Sequence, residues 1–330
     1  MQGMKRLIIF ILLVAAGQSG FGQAKEERKF KLKGKPILTI YANWHNGLGR
    51  ANGDSGFELD RSYIGYEVDI TEKLSGKVVL DIGPTNAEGA ELERVAYVKN
   101  AMLSWKTGEF TLDFGLVSTT QFKEQEGVWG HRYLLKSFQD EYGFGSSADM
   151  GVIGRYRFAD WLAADISLIN GEGYKKLNSD NKYRYGIGVT LTPAKGLTVR
   201  GYFDNADKDV SGEGTKAQQT LSVFAGYRHA AFNLGAEYNK QYNTDFGEGL
   251  DQEGISVYST VKLGGRFHAF GRYDNLWSAN DWSDADTQDM TFGIEYSPLK
   301  QLKIAPNFRN QNPYSGKSNS FIYLNIEFKI

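Results

Sequence analysis

The last ten residues, FIYLNIEFKI, alternate without a break. Ile322, Leu324, Ile326, Phe328 and Ile330 are apolar, while Tyr323, Asn325, Glu327 and Lys329 stand between them. Side chains of an extended strand point to opposite faces with period two, so this stretch predicts a strand with one apolar and one polar face. The same rhythm recurs along the chain. Tyr66, Val68 and Ile70 alternate with Glu67 and Asp69, and Leu112, Phe114 and Leu116 with Thr111 and Asp113. Later come Leu162 to Leu168 around Asp165, Leu221 to Tyr227 around Ser222, and Phe292 to Tyr296 around Glu295. No comparable stretch shows the 3.6-residue period of a helix.

The links between these stretches sort by length. Short ones lie near Thr71-Lys73, Thr107-Gly108, Ala159-Asp160, Pro193-Gly196, His229-Ala231, Gly264-Gly265 and Pro298-Lys300. Long polar ones fall between them, at residues 48–56, 84–91, 118–148, 171–182, 205–217, 243–253, 275–288 and 310–318. Short and long alternate throughout, which predicts about sixteen strands, an even number. A soluble sandwich has no reason to sort its loops onto two ends. A transmembrane barrel does, with tight turns on one side of the membrane and long loops on the other. Closure also removes the open sheet edges that lipid cannot satisfy. The expected fold is therefore all-β, a transmembrane antiparallel β-barrel with outer-membrane lipid against its apolar face.

The front of the chain agrees with export. Lys5 and Arg6 precede an apolar run from Leu7 to Ala16, and Gly20-Phe21-Gly22 offers a small-x-small cleavage site. Residues 1–22 read as a signal peptide, residues 23–35 as a short charged segment, and residues 36–330 as the barrel. The apolar run is too short to cross a bilayer as a helix. The chain has no cysteine, and its net charge of -1 argues against a nucleic-acid partner.

One link breaks the hairpin rhythm: STTQFKEQEGVWGHRYLLKSFQDEYGFGSSADMG, residues 118–151. Loops this long are usually functional or disordered. Its aromatic content, Phe122, Trp129, Tyr133, Phe138, Tyr142 and Phe144, predicts order, and Leu134, Leu135, Phe138 and Tyr142 are spaced for one face of a short helix. About sixteen strands leave an open lumen, and this loop is expected to fold inward and narrow it. An outer lid or a docking loop is the alternative. The loop brings Lys123, Glu124, Glu126, Arg132, Lys136, Asp140 and Glu141 as candidate constriction residues. The polar faces of the strands near residues 150–228 add Arg155, Arg157, Arg184, Arg200 and Arg228 against Asp165, which predicts either a basic wall facing the loop's carboxylates or arginines that pair with lumen or loop carboxylates and brace the barrel. The opposite sector carries Glu67, Asp69, Asp81 and Asp113 with Arg61 and Lys77. Walls of one sign set ion selectivity at short range.

The third-loop stretch, the FGQ that ends the signal peptide and the alternating strands resemble outer-membrane porins of Bacteroidetes-type bacteria, and more broadly the phosphate-selective porin O and P family. The resemblance implies a Gram-negative outer-membrane channel, often trimeric, for passive diffusion of small hydrophilic solutes or inorganic anions. A phosphate-like preference would be expected to rest on a lysine-dense loop; here Lys175 and Lys176 are only a pair.

Two other classes stay open on the sequence. A barrel hydrolase needs a base beside a nucleophile. The histidines, His45, His131, His229 and His268, come with no nucleophile elbow, no zinc-type pair and no phosphate loop. A barrel subunit of an export machine is the other class. Asp281, Asp284, Asp286 and Asp289 share one loop without EF-hand spacing, so a solvated acidic loop is expected rather than a calcium site. Nothing in the sequence calls for a cofactor.

Overall fold

In the computed structural model, residues 33–85, 93–176, 181–207 and 214–330 are described. The signal-peptide reading of residues 1–22 lies outside them. Sixteen strands follow one another in chain order. The first eight are β1 Lys33–Leu48, β2 Ser55–Asp69, β3 Leu74–Pro84, β4 Arg94–Thr107, β5 Phe110–Ser118, β6 Ala148–Ala159, β7 Leu162–Ile169 and β8 Arg184–Ala194. The second eight are β9 Leu197–Ala206, β10 Gln218–Arg228, β11 Phe232–Tyr242, β12 Gln252–Gly264, β13 Phe267–Ser278, β14 Thr287–Leu299, β15 Leu302–Pro313 and β16 Asn319–Lys329. The first begins at Lys33, inside the segment read as a charged lead-in.

Each strand pairs antiparallel with the next, and β16 closes on β1 from Thr39↔Lys329 to Leu48↔Ser320. The terminal alternation is what makes closure possible. Ile322, Leu324 and Ile326 turn outward, while Asn325 between them is buried inside. Around the barrel the outward positions are apolar and open, among them Ile64, Val98, Phe114, Ile166 and Val223. The inward positions are polar and covered, such as Asn43, Asp113, Asp165 and Asp274. That inversion of the soluble pattern is what a lipid surround requires. Beside the tight turns the outer face carries paired aromatic rings. Tyr156 and Phe158 lie 4.8 Å apart, Phe267 and Tyr296 4.8 Å, and Tyr227 and Phe232 5.9 Å.

Two strands break the alternation in mid-course. In β2 the register slips where Tyr41↔Arg61 is followed by Ala42↔Leu59, leaving Asp60 as an extra residue. In β4 it slips where Val79↔Asn100 is followed by Leu80↔Val98, leaving Lys99 extra. A bulge of this kind lets successive residues face the same side. Asp60 with Arg61, and Lys99 with Asn100, therefore all point inward. The other register shifts, in β6, β8, β12 and β14, lie at the tight turns.

Candidate functional site

The link between β5 and β6 is an ordered structure held by side chains of the barrel's inner face. It opens with a helix, Lys123–Trp129, whose first turn carries Glu124 and Glu126, where negative charge suits the helix dipole. Gly130, at φ 69°, ends it in the left-handed conformation. A single turn, Phe138–Glu141, follows. Trp129, Tyr133, Phe138 and Phe144 are fully buried. Trp129 and Tyr133 pack with the inward rings of Phe224, Tyr258 and Phe270, and Phe138 and Phe144 pack with Leu276. Gly254 makes room for Phe138, because a Cβ there would stand 2.2 Å from the ring.

The expected helix face through Leu134 and Leu135 does not form, and the hydrogen bonds explain why. Carbonyls that a helix would use internally are taken by donors on the wall. Gly130 O accepts from Lys303 at 3.4 Å, Tyr133 O from Asn325 at 3.3 Å and Lys136 O from Arg272 at 2.5 Å. Leu135 O accepts from the Trp129 indole at 2.9 Å. Tyr258 donates to Gln125 O at 3.1 Å, Gln139 to Ser222 at 2.9 Å, and Tyr133 to Glu295 at 2.9 Å. These partners lie on β10 and on β12 to β16, so the loop leans on that side and leaves space along β1 to β4.

Two cavities mark the space. One of about 450 Å³ lies between the loop and the inner faces of β1 to β4, and one of about 340 Å³ lies between the loop and β1, β2 and β15. Tyr41, Tyr63 and Arg132 line both, so the two cavities meet where Arg132 of the loop faces the two tyrosines of the wall. The larger cavity is cationic. Lys35, Lys77, Lys99, Lys123, Arg132 and Lys329 line it against two carboxylates, Glu67 and Glu126. Lys99 Nζ donates to Tyr63 Oη at 3.3 Å and stands 4.6 Å from the centre of that ring. Arg132 is held by Asp140 at 2.6 Å and Glu126 at 3.1 Å. Burial pushes the Asp140 carboxyl up, but the Arg132 guanidinium pulls it down further, leaving it below its ordinary value. Burial likewise pushes the His131 imidazole down to about 4, against the pull of Glu295 at 3.4 Å.

The residues singled out from sequence divide into two groups. Lys123, Glu126 and Arg132 meet at the larger cavity, and Lys136 and Glu141 line the smaller one 3.8 Å apart. Glu124 is half-buried on the helix. The expected facing of loop carboxylates and strand arginines is different in the structure. Glu126 and Asp140 are tied to Arg132 of their own loop, and four of the five arginines are paired with carboxylates of the barrel itself. Arg155 pairs with Asp113 at 2.6 Å, Arg184 with Asp204 at 3.2 Å and Arg200 with Asp165 at 2.7 Å. Arg157 pairs with Glu109 beside a tight turn. Arg228 lies against the loop helix, its guanidinium 2.8 Å from where a Cβ on Gly127 would be. For Arg155 and Arg184 the carboxylate stands on the next strand, where opposed side chains come within about 5 Å and outcompete a carboxylate across water, whereas Arg200 on β9 reaches over β8 to Asp165 on β7. Gly188 shows the design, since a Cβ there would lie 2.2 Å from the Arg200 guanidinium that reaches over it to Asp165.

Lys99, Tyr41 and Tyr63 are site residues that sequence reading missed, and of these Lys99 left a signal. Its signal is the phase slip in YVKNAML, where outward Val98 is followed by outward Ala101 rather than by residue 100. Of the acidic loop, Asp286 accepts from Ser278 Oγ at 2.7 Å and Asp289 from Thr287 at 2.7 Å. Among the described residues no group of three or more His, Cys, Asp or Glu could hold a metal ion.

No family model matches the chain, and no curated protein matches it. Solved structures do. Salmonella typhi OmpF in complex with daunomycin superposes with a TM-score of 0.66 at 16% identity, covering 90% of this chain and 97% of that one. An anion-selective porin from Comamonas acidovorans gives 0.66 at 12%, covering 91% and 100%. The trimer form of in-vitro folded OmpT of Vibrio cholerae gives 0.59 at 13%, covering 91% and 100%. At such identities the likeness lies in the fold: the chain is built on the barrel architecture of outer-membrane porins.

Proposed function

We propose that the protein is an outer-membrane porin, a passive diffusion channel for small hydrophilic solutes and ions that favours anions. The observation that carries this reading is the cationic gap between Arg132 of the third loop and the wall bearing Lys99, Tyr41 and Tyr63. Ionic screening limits bare charges to about 8 Å at physiological salt, so only charges at the narrow part select. There a permeant anion at about 4 Å from one cation gains on the order of 4 kcal/mol at an effective dielectric of 20, and the surrounding carboxylates reduce this. The inward packing of the third loop supports a size limit set between the loop and β1 to β4. Assembly as a homotrimer belongs to the same reading, supported by the trimeric neighbour of like fold, and native mass measurement tests it.

The test of the channel is electrical. Purified protein in planar bilayers should give stable conductance, and a KCl gradient should give a reversal potential on the chloride side. Lys99→Gln with Arg132→Gln should move that potential toward cation preference. A protein that inserts without conducting would be a scaffold or export subunit, and the porin reading would fall.

A further inference from the structure

A second loop reaches two residues that line the two cavities, Lys99 of the larger and Arg61 of the smaller. The link from β7 to β8 leaves the wall through Gly171-Glu172-Gly173-Tyr174-Lys175. Gly171 and Gly173 have φ of 109° and 80°, where a side chain is strained. Their N–H groups both donate to Oδ2 of Asp149 on β6, at 2.9 and 3.1 Å. This fixed bend carries Tyr174 across β5 and β6 to the inner faces of β2, β3 and β4. Its hydroxyl donates to Asp81 Oδ2 at 2.6 Å and accepts from Arg61 Nη1 at 3.1 Å. Arg61 itself donates to Asp81 at 2.8 Å. The Tyr174 ring meets Tyr97 edge-on at 6.4 Å, and Lys99 Nζ stands 5.4 Å from its centre. Lys175 sits over the Tyr97 ring at 4.5 Å.

The charges here are unequally covered. Asp81 is 1% exposed, whereas the side chain of Arg61 keeps 17%. Arg61 lies on the inner face of β2 beside its bulge, Lys99 is the residue that the bulge of β4 turns inward, and Tyr174 lies between them and over Asp81. From this geometry we infer that Tyr174 is a specificity-determining residue of the passage: its hydroxyl covers the Asp81 carboxylate, so that the wall shows its cations to a permeant ion, while its ring narrows the gap opposite Arg132. The assignment rests on the porin reading and adds a determinant on a second loop. A wall that exposed Asp81 beside Arg61 and Lys99 would present a carboxylate to the permeant ion where selectivity is set, although the wall's formal charge would be unchanged.

Three variants separate the two roles, read by reversal potential in a KCl gradient and by liposome swelling with graded sugars. Tyr174→Phe keeps the ring and removes the cover. It should reduce anion preference and leave the sugar size limit unchanged. Tyr174→Ala should reduce anion preference and also admit larger sugars. Adding Asp81→Asn to Tyr174→Ala should restore anion preference while the larger size limit remains, a rescue that a merely structural tyrosine would not give. If wild-type protein conducts with anion preference and neither Tyr174 variant shifts the reversal potential, the assignment is overturned. If anion preference falls but Asp81→Asn does not restore it, the carboxylate is not what Tyr174 covers, and the assignment is likewise overturned. Absence of conductance in the wild type would instead remove the porin reading itself.

Discussion

Trp129→Ala should release the third loop while leaving the barrel intact. Trp129 is 1% exposed. Its ring packs against Tyr258 at 5.5 Å and Phe270 at 6.3 Å, both on the wall. The Arg272 guanidinium lies 5.3 Å from its centre, and its indole N–H supports the turn through Leu135 O. Truncating a buried Trp to Ala costs about 3–5 kcal/mol through lost burial and the cavity left behind. The lost cation–π contact contributes about 0.5–2 kcal/mol of that range. Each 1.4 kcal/mol is a tenfold change in an equilibrium constant, so the docked loop should open roughly a hundred to several thousand times more often. No backbone hydrogen bond between strands is touched, so the barrel should keep its resistance to heat in detergent. Hydrogen exchange of residues 123–144, followed by mass spectrometry, should show protection falling by about that factor. Single-channel traces should gain open-state noise and a higher mean conductance. Unchanged exchange together with unchanged current would refute the view that this anchor holds the loop in the passage.

Arg200→Gln should cost about 3–5 kcal/mol, because it leaves the buried Asp165 carboxylate without its cation; the reversal potential should barely move, in contrast to Lys99→Gln, and urea unfolding with bilayer recording separates the two. Ile166 is 63% exposed on the outer face of β7. Arg there should cost about 2–4 kcal/mol in lipid vesicles if it lies near the midplane, and Arg at Thr260, on the inner side of β12, much less; equal costs would mean the register is wrong. Acid should loosen the third loop. The carboxyl of Asp140 and the imidazole of His131 are both held below their ordinary values, so each favours docking in its deprotonated form. For His131 that contribution is complete above about 6.5. It is lost as pH falls toward about 4, and channel noise should rise across that window while staying constant above neutrality.

The sequence by itself determined the barrel. Period-two alternation fixes which side of each strand meets lipid, since a one-residue slip would expose every polar side chain. The alternation of short and long links fixes the strand order and which end carries the loops. The aromatic content of residues 122–144 was enough to predict an ordered third loop, because so much apolar surface needs a partner. Which charges meet was decided only by the tertiary structure. The sequence places Arg155 and Arg200 in the lumen and leaves open whether they line it as a basic wall or pair with carboxylates, because their partners, Asp113 and Asp165, lie on strands whose depth and side-chain reach the pattern does not specify. Lys99 and Asp60 were obscured by bulges, which exist only as a mismatch between two paired strands and leave a single strand merely irregular. The helix expected through Leu134 and Leu135 failed because wall donors claimed its carbonyls. Local periodicity carries no information about donors that arrive from 136 and 192 residues away, as those of Arg272 and Asn325 do. The reach of Tyr174 to Asp81 is the same kind of fact. A loop's own residues set its bend at Gly171 and Gly173, but only the closed barrel sets what stands opposite.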